Sequence, residues 1–134
     1  MLSSQASLLS QHAAEATDQT ILIVEDDQDI GVMVATLLEL ETPYQTRLAQ
    51  DGQEALMLAR DTPPSLLVLD YQLPGINGVQ LYDRLRTLPG LEHVPAVLMS
   101  ANLPIEEMKK RHMVGLCKPF DVNELIETVK HSVL

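Results

Sequence analysis

The chain has 134 residues, 46% hydrophobic and 21% charged, enough apolar material for one continuous core in a single domain. Nine basic residues against nineteen acidic ones give a formal net charge of −10, which excludes a nucleic-acid-binding stripe and opposes attraction to anionic lipid. No apolar run approaches the ~20 residues of a membrane span. The N-terminus has no secretory pattern, and the lone Cys117 cannot form an internal disulfide; both point to the cytoplasm.

Residues 1–19 are rich in Ser, Gln and Ala, carry only Glu15 and Asp18 as charges, and read as a flexible tail. From Thr20 onward, 20–134, strand and helix patterns alternate. Thr20–Glu25 is a β-branched apolar run of strand length. Asp29 to Glu41 sets Ile30, Val34, Leu37 and Leu38 on one helical stripe, with Asp27 as its cap, and Pro43 ends it. Gln45–Ala49 is a second strand. Asp51 and Glu54 then form a capping box before a helix that buries Ala55, Leu56 and Ala59.

After Pro63 and Pro64, the apolar run 65–69 ends at Asp70. A Leu-Pro-Gly-Ile-Asn-Gly turn leads into a helix whose expected buried side is Val79, Leu81, Leu85 and Leu88. Pro95 opens a fourth strand, Ala96–Met99, that stops at Ser100. Pro104 suits a first helical position, and Glu106–Glu107 early with Lys109, Lys110 and Arg111 late complement the helix dipole. The fifth strand, Val114–Cys117, runs into Lys118. Asp121 and Glu124 form a box-like cap for a last helix, expected to bury Val122, Leu125, Ile126 and Val129. Aromatics are scarce at 3%, so the core is built from Leu, Val, Ile, Ala and Met, and the six methionines read as core or partly buried filler.

Five strands alternating with five helices predict an α/β fold: a mostly parallel sheet covered on both faces, with right-handed crossovers. In such a sheet the carboxyl ends of the strands form the ligand crevice. Glu25 and Asp26 follow the first strand, Asp70 ends the third, Ser100 the fourth, and Lys118 follows the fifth. Three acids, a hydroxyl and an ammonium therefore converge at one edge. An acidic run such as Glu25-Asp26-Asp27 is, taken alone, most often a solvated helix start. Brought against a further carboxylate it is costly without a cation, and hard oxygen ligands suit Mg2+, which takes few protein ligands.

These features together resemble the receiver domain of bacterial two-component response regulators. The residues that carry the resemblance are Ile21-Leu-Ile-Val-Glu25-Asp26-Asp27, Ala49-Gln-Asp-Gly52-Gln-Glu-Ala55-Leu56, and Leu69-Asp70 with Leu73-Pro-Gly-Ile-Asn-Gly78. Met99-Ser100-Ala101 and Lys118-Pro119-Phe120 complete the set, which runs in order through residues 20–134. The resemblance implies a flavodoxin-like, doubly wound five-stranded parallel sheet of strand order 2-1-3-4-5. It implies that Asp70 accepts a phosphoryl group from a histidine kinase or histidine phosphotransfer protein. By the same resemblance, Lys118 and Ser100 contact that group, while Glu25, Asp26, Asp70 and the backbone carbonyl of Gln72 hold Mg2+. It further implies a cis bond before Pro119, a role for Gln72 and Asn102 in setting phosphate lifetime, signalling in trans to an unidentified downstream protein, and room for a phosphorylation-dependent homodimer. Such a protein catalyses its own phosphorylation and dephosphorylation without being a turnover enzyme.

Two positions depart from the family pattern. The aromatic residue expected three positions before the lysine is replaced by Gly115, and the stretch from Ser100 to Lys118 is about one helical turn short. The expectation is that this helix moves or partly melts in place of a ring flip. The rival reading is an interaction-only pseudo-receiver or phosphate sink with no output of its own; the intact acids, Ser100 and Lys118 weigh against it. A dehalogenase-type phosphatase would carry Asp-x-Asp at the first strand end, whereas Asp70-Tyr71-Gln72 lies at the third. A nucleotide binder would want a Gly-rich first turn, where Asp26-Asp27-Gln28-Asp29 stands instead. Gly52, Gly75 and Gly78 read as tight turns or close approaches, Cys117 as strand filler beside the site, and His12, His93, His112 and His131 as surface residues.

Overall fold

In the computed structural model, which describes residues 19–133, hydrophobic alternation sorts the chain into a three-layer sandwich. The elements are β1 (Thr20–Val24), α1 (Gln28–Glu41), β2 (Gln45–Ala49), α2 (Gly52–Asp61), β3 (Leu66–Asp70), β4 (Gln72–Leu73) and β5 (Ile76–Asn77). They continue with α3 (Gly78–Leu85), β6 (Ala96–Ser100), α4 (Ile105–Arg111), β7 (Val114–Cys117) and α5 (Val122–Val133). The main sheet has the order β2-β1-β3-β6-β7, every pair parallel, which is the expected 2-1-3-4-5 topology.

The central strands are buried on both faces, as helix-covered parallel strands must be. Leu22, Val24, Leu67, Leu69, Ala96 and Leu98 face one way, against Ala55 and Ala59 of α2, Val79, Leu81, Tyr82 and Leu85 of α3, and Met108 of α4. Ile21, Ile23, Leu66, Val68, Val97 and Met99 face the other, against Val34 and Leu38 of α1 and Leu125, Ile126 and Val129 of α5. The period of 2 along each strand thus assigns alternate residues to two separate apolar layers.

Caps fix where the helices begin, and so where the strand-to-helix loops end. The Asp27 carboxylate accepts from the Ile30 N–H at 3.1 Å, and Asp51 accepts from the Glu54 N–H at 2.8 Å. Glu54 reaches one residue further back than a capping box does, to the Gln50 N–H at 2.7 Å. Asp121 and Glu124 make the reciprocal bonds expected of them, at 2.8 and 3.2 Å. An unforeseen box joins Asn77 and Gln80 at the start of α3.

Several expectations need correcting. Pro104 precedes α4 as its cap, without a side-chain bond, instead of occupying the first turn. Val122, the first residue of α5, is 48% exposed because the helix face only meets the sheet from Leu125 onward. Leu56 and Leu88 are half-buried at the margin of the core. Met33 and Met57 lie on outward helix faces and are exposed, whereas Met99, Met108 and Met113 are core. The turn after Asp70 contains the short antiparallel pair β4–β5. Cys117 is exposed on the edge strand β7, and His93, His112 and His131 are at the surface as expected. The tail, 1–19, and His12 within it lie outside the described residues save Gln19. No described helix is long and apolar enough to cross a membrane.

Candidate functional site at the strand ends

Sheet register delivers the site. Val24 is level with Leu69, Asp70 with Met99, and Ser100 with Cys117, so Glu25, Asp70, Ser100 and Lys118 emerge on one edge. Backbone bonds continue the ladder past the strands: Glu25 N–H donates to the Ala49 carbonyl at 3.0 Å, Tyr71 N–H to Met99 at 2.9 Å, and Lys118 N–H to Ser100 at 2.9 Å. The functional side chains therefore stand on hydrogen-bonded backbone, which limits their drift. The Lys118–Pro119 bond is cis, as the resemblance implied.

Glu25, Asp26 and Asp70 bring one carboxylate oxygen each within 4.8 Å of one another. Glu25 and Asp70 are buried and Asp26 is exposed, so the cluster opens to solvent on one side. The Lys118 Nζ lies 3.0 Å from Asp70 Oδ1 and 3.4 Å from Glu25 Oε1. One ammonium thus faces three acids, and the balance is negative. Burial, opposed by the Asp27 N–H at 3.2 Å and reinforced by the charge of Asp70, pushes the Glu25 carboxyl up to about 7. Burial works against the Lys118 ammonium, yet its bond to Asp70 and the charges of Asp70 and Glu25 outweigh that and raise its pKa.

A cavity of about 220 Å³ adjoins Asp70 and Lys118, walled by Tyr71, Gln72, Ser100, Ala101 and Asn102. Gln72 and Ser100 thus share one space with Asp70, while Glu25 and Asp26 lie on the other side of its carboxylate. The Ser100 hydroxyl donates to the Asn102 carbonyl and accepts from the Asn102 N–H, both at 3.1 Å. Sequence reasoning did not single out Tyr71 and Ala101 as walls; their positions next to Asp70 and Ser100 are the signal that could have found them. Gly78 is also closer to the chemistry than its turn role suggests, because its N–H donates to the Tyr71 carbonyl at 2.8 Å and its Cα abuts the Asp70 carbonyl.

An acid-lined edge of a 2-1-3-4-5 parallel sheet, with one lysine facing a strand-end aspartate, defines a phosphoacceptor class of domain. The response regulator receiver domain model matches residues 21–130, and the chain belongs to that family. It is 32% identical over 117 residues to the polar-differentiation response regulator DivK of Brucella anthropi, covering 84% of this chain and 94% of DivK. It is 32% identical over 114 residues to the phosphate regulon transcriptional regulatory protein PhoB of Rhizobium meliloti, covering 82% of this chain but only 50% of PhoB. The chain therefore spans about half the length of that relative and nearly all of DivK. Among solved structures, the chemotaxis protein CheY4 of Vibrio cholerae superposes with a TM-score of 0.78 at 25% identity, over 85% of this chain and 98% of CheY4.

Proposed function

We propose that this receiver takes a phosphoryl group onto Asp70 from a phosphohistidine of a histidine kinase or histidine phosphotransfer protein, and signals through a separate protein. An Asp70 carboxylate oxygen attacks the phosphorus, the P–N bond breaks, and its electron pair returns to the imidazole as the acyl phosphate forms. Phosphoryl transfer of this kind is governed by positioning and charge. Lys118, 3.0 Å from Asp70, supplies a fixed ammonium for the phosphoryl oxygens. Ser100, in the same cavity, offers a hydroxyl once it leaves Asn102.

The donor set also fits a hard divalent cation. Three carboxylates within 4.8 Å, only one of them facing the lysine closely, leave negative charge that Mg2+ would neutralise. Glu25, Asp26, Asp70 and the Gln72 carbonyl would hold it, and when bound it would screen the charge that builds on the phosphoryl group. The observation that carries the proposal is the Asp70 carboxylate held between Lys118 and two further acids at a cavity mouth. Loss of a Mg2+-dependent phosphate adduct on Asp70→Asn, measured by intact mass, tests it; an equal adduct on that variant defeats it.

A further inference from the structure

Above Gly115 the structure has a socket. A Cβ there would lie 2.7 Å from Met108 Cε and 2.8 Å from Leu103 Cδ1, so these two side chains fill the space that any residue but glycine would claim. Leu103 sits three residues beyond Ser100, in the loop that joins β6 to α4. That loop keeps the Ser100 hydroxyl for itself, bonded to both the N–H and the carbonyl of Asn102. For Ser100 to donate to an oxygen carried by Asp70, it must release the Asn102 carbonyl, and the loop through Leu103 has to move with it.

The two ends of α4 are held unequally. At its C-terminus the Arg111 guanidinium grips the Asp83 carboxylate of α3 through two parallel bonds, of 2.7 and 2.8 Å. At its N-terminus Pro104 offers no side-chain cap. Displacement is thereby confined to the loop and the first turn of α4, with Arg111 as the fixed end. The contact of Leu103 and Met108 with bare backbone is what weights the loop toward its present position.

We propose that Leu103 and Gly115 are positioning residues for Ser100: the leucine seated on the glycine holds the loop where the hydroxyl faces Asn102, and unseating it releases Ser100 toward Asp70. This rests on the reading of Asp70 as phosphoacceptor. By linkage, whatever weakens the seat favours the state that a phosphoryl group favours.

The test uses the full chain labelled with 13C-methyl methionine, Mg2+, and beryllofluoride as phosphoryl mimic. In the wild type, the Met108 methyl resonance moves on adding the mimic, while those of the exposed Met33 and Met57 stay in place. Gly115→Ala shows Met108 already displaced toward the bound position without the mimic, and binds beryllofluoride about 5-fold more tightly. Leu103→Ala gains affinity in the same direction, which keeps the test open if Gly115→Ala folds poorly. A wild-type Met108 resonance that ignores bound mimic, or affinities in both variants equal to or weaker than wild type, overturns the inference, even if thermal stability has changed. Failure of the wild type to bind the mimic at all overturns the reading of the site itself, and the positioning role with it.

Discussion

Replacing Gly78 by alanine perturbs the joint between strand and site. The new Cβ would lie 2.5 Å from the Asp70 carbonyl oxygen and 2.7 Å from Leu98 Cδ1. Ordinary carbon contacts need about 3.5 Å. Leu98 can turn aside, but the carbonyl is backbone, and α3 cannot back away without stretching the 2.8 Å bond from Gly78 N–H to Tyr71. Overpacking against backbone costs about 3 kcal/mol, offset by up to ~1 kcal/mol because alanine has less freedom to lose on folding. The net loss is about 2 kcal/mol, near 8 °C in Tm for a domain of this size. Gly75 is the control: it has φ +73° and nothing within 4 Å of the place a methyl would take, so Gly75→Ala costs only its left-handed strain, about 1 kcal/mol. Urea denaturation ranks the two, and because Asp70 is shifted only in Gly78→Ala, phosphorylation there slows by up to ~10²-fold while Gly75→Ala stays near wild type. A Gly78→Ala protein no less stable than Gly75→Ala would refute the close-approach reasoning.

Other expected outcomes concern the charges and the core. Lys118→Met removes the only ammonium bonded to Asp70 among the described residues, and acetyl phosphate should label it on the order of 10²-fold more slowly in a mass time course. Asp26→Asn removes one of three clustered acids, so the rise in Tm that Mg2+ gives the wild type should shrink in a calorimetric titration. The bonds from Arg111 hold the Asp83 carboxyl below the usual carboxylate range, against a smaller opposing effect of burial. Its stabilising contribution is therefore present above about pH 4 and is lost as pH falls through the lowered value. Asp83 is half exposed, so the stability gap between wild type and Arg111→Gln should be only about 0.5–1 kcal/mol near neutrality and should close in acid denaturation series. Tyr82→Phe deletes the buried hydroxyl bond to the Val94 carbonyl, 2.8 Å, and should cost about 1 kcal/mol in urea melts.

Much of this architecture was legible because its signals are local. Apolar runs of strand length, each stopped by a charged or hydroxyl residue, placed β1, β3, β6 and β7, and with them the residues of the crevice. Asp27, Asp51 and Asp121 announced three helix starts through caps that depend only on neighbours three residues away. What escaped the sequence depends on partners far along the chain or on very short elements. Two-residue strands such as β4 and β5 are too brief for alternation to show. The Arg111–Asp83 fork spans 28 residues and joins two helices whose relative placement no periodicity encodes. Val122 has the right spacing for a buried face, yet α5 begins before it reaches the sheet, and Met33 and Met57 share helices with core residues but point away. Gly115 stood out as a departure from the family, while the side chains that fill its place, Leu103 and Met108, could be found only in three dimensions.

The central claim is that Asp70, gripped by Lys118 and flanked by Glu25 and Asp26, is chemically competent. Intact-mass spectrometry after incubation with acetyl phosphate and Mg2+ addresses it most directly. One phosphoryl group on the wild type, absent from Asp70→Asn and dependent on the cation, is the predicted result; an unmodified wild type under conditions that phosphorylate a control receiver would contradict it.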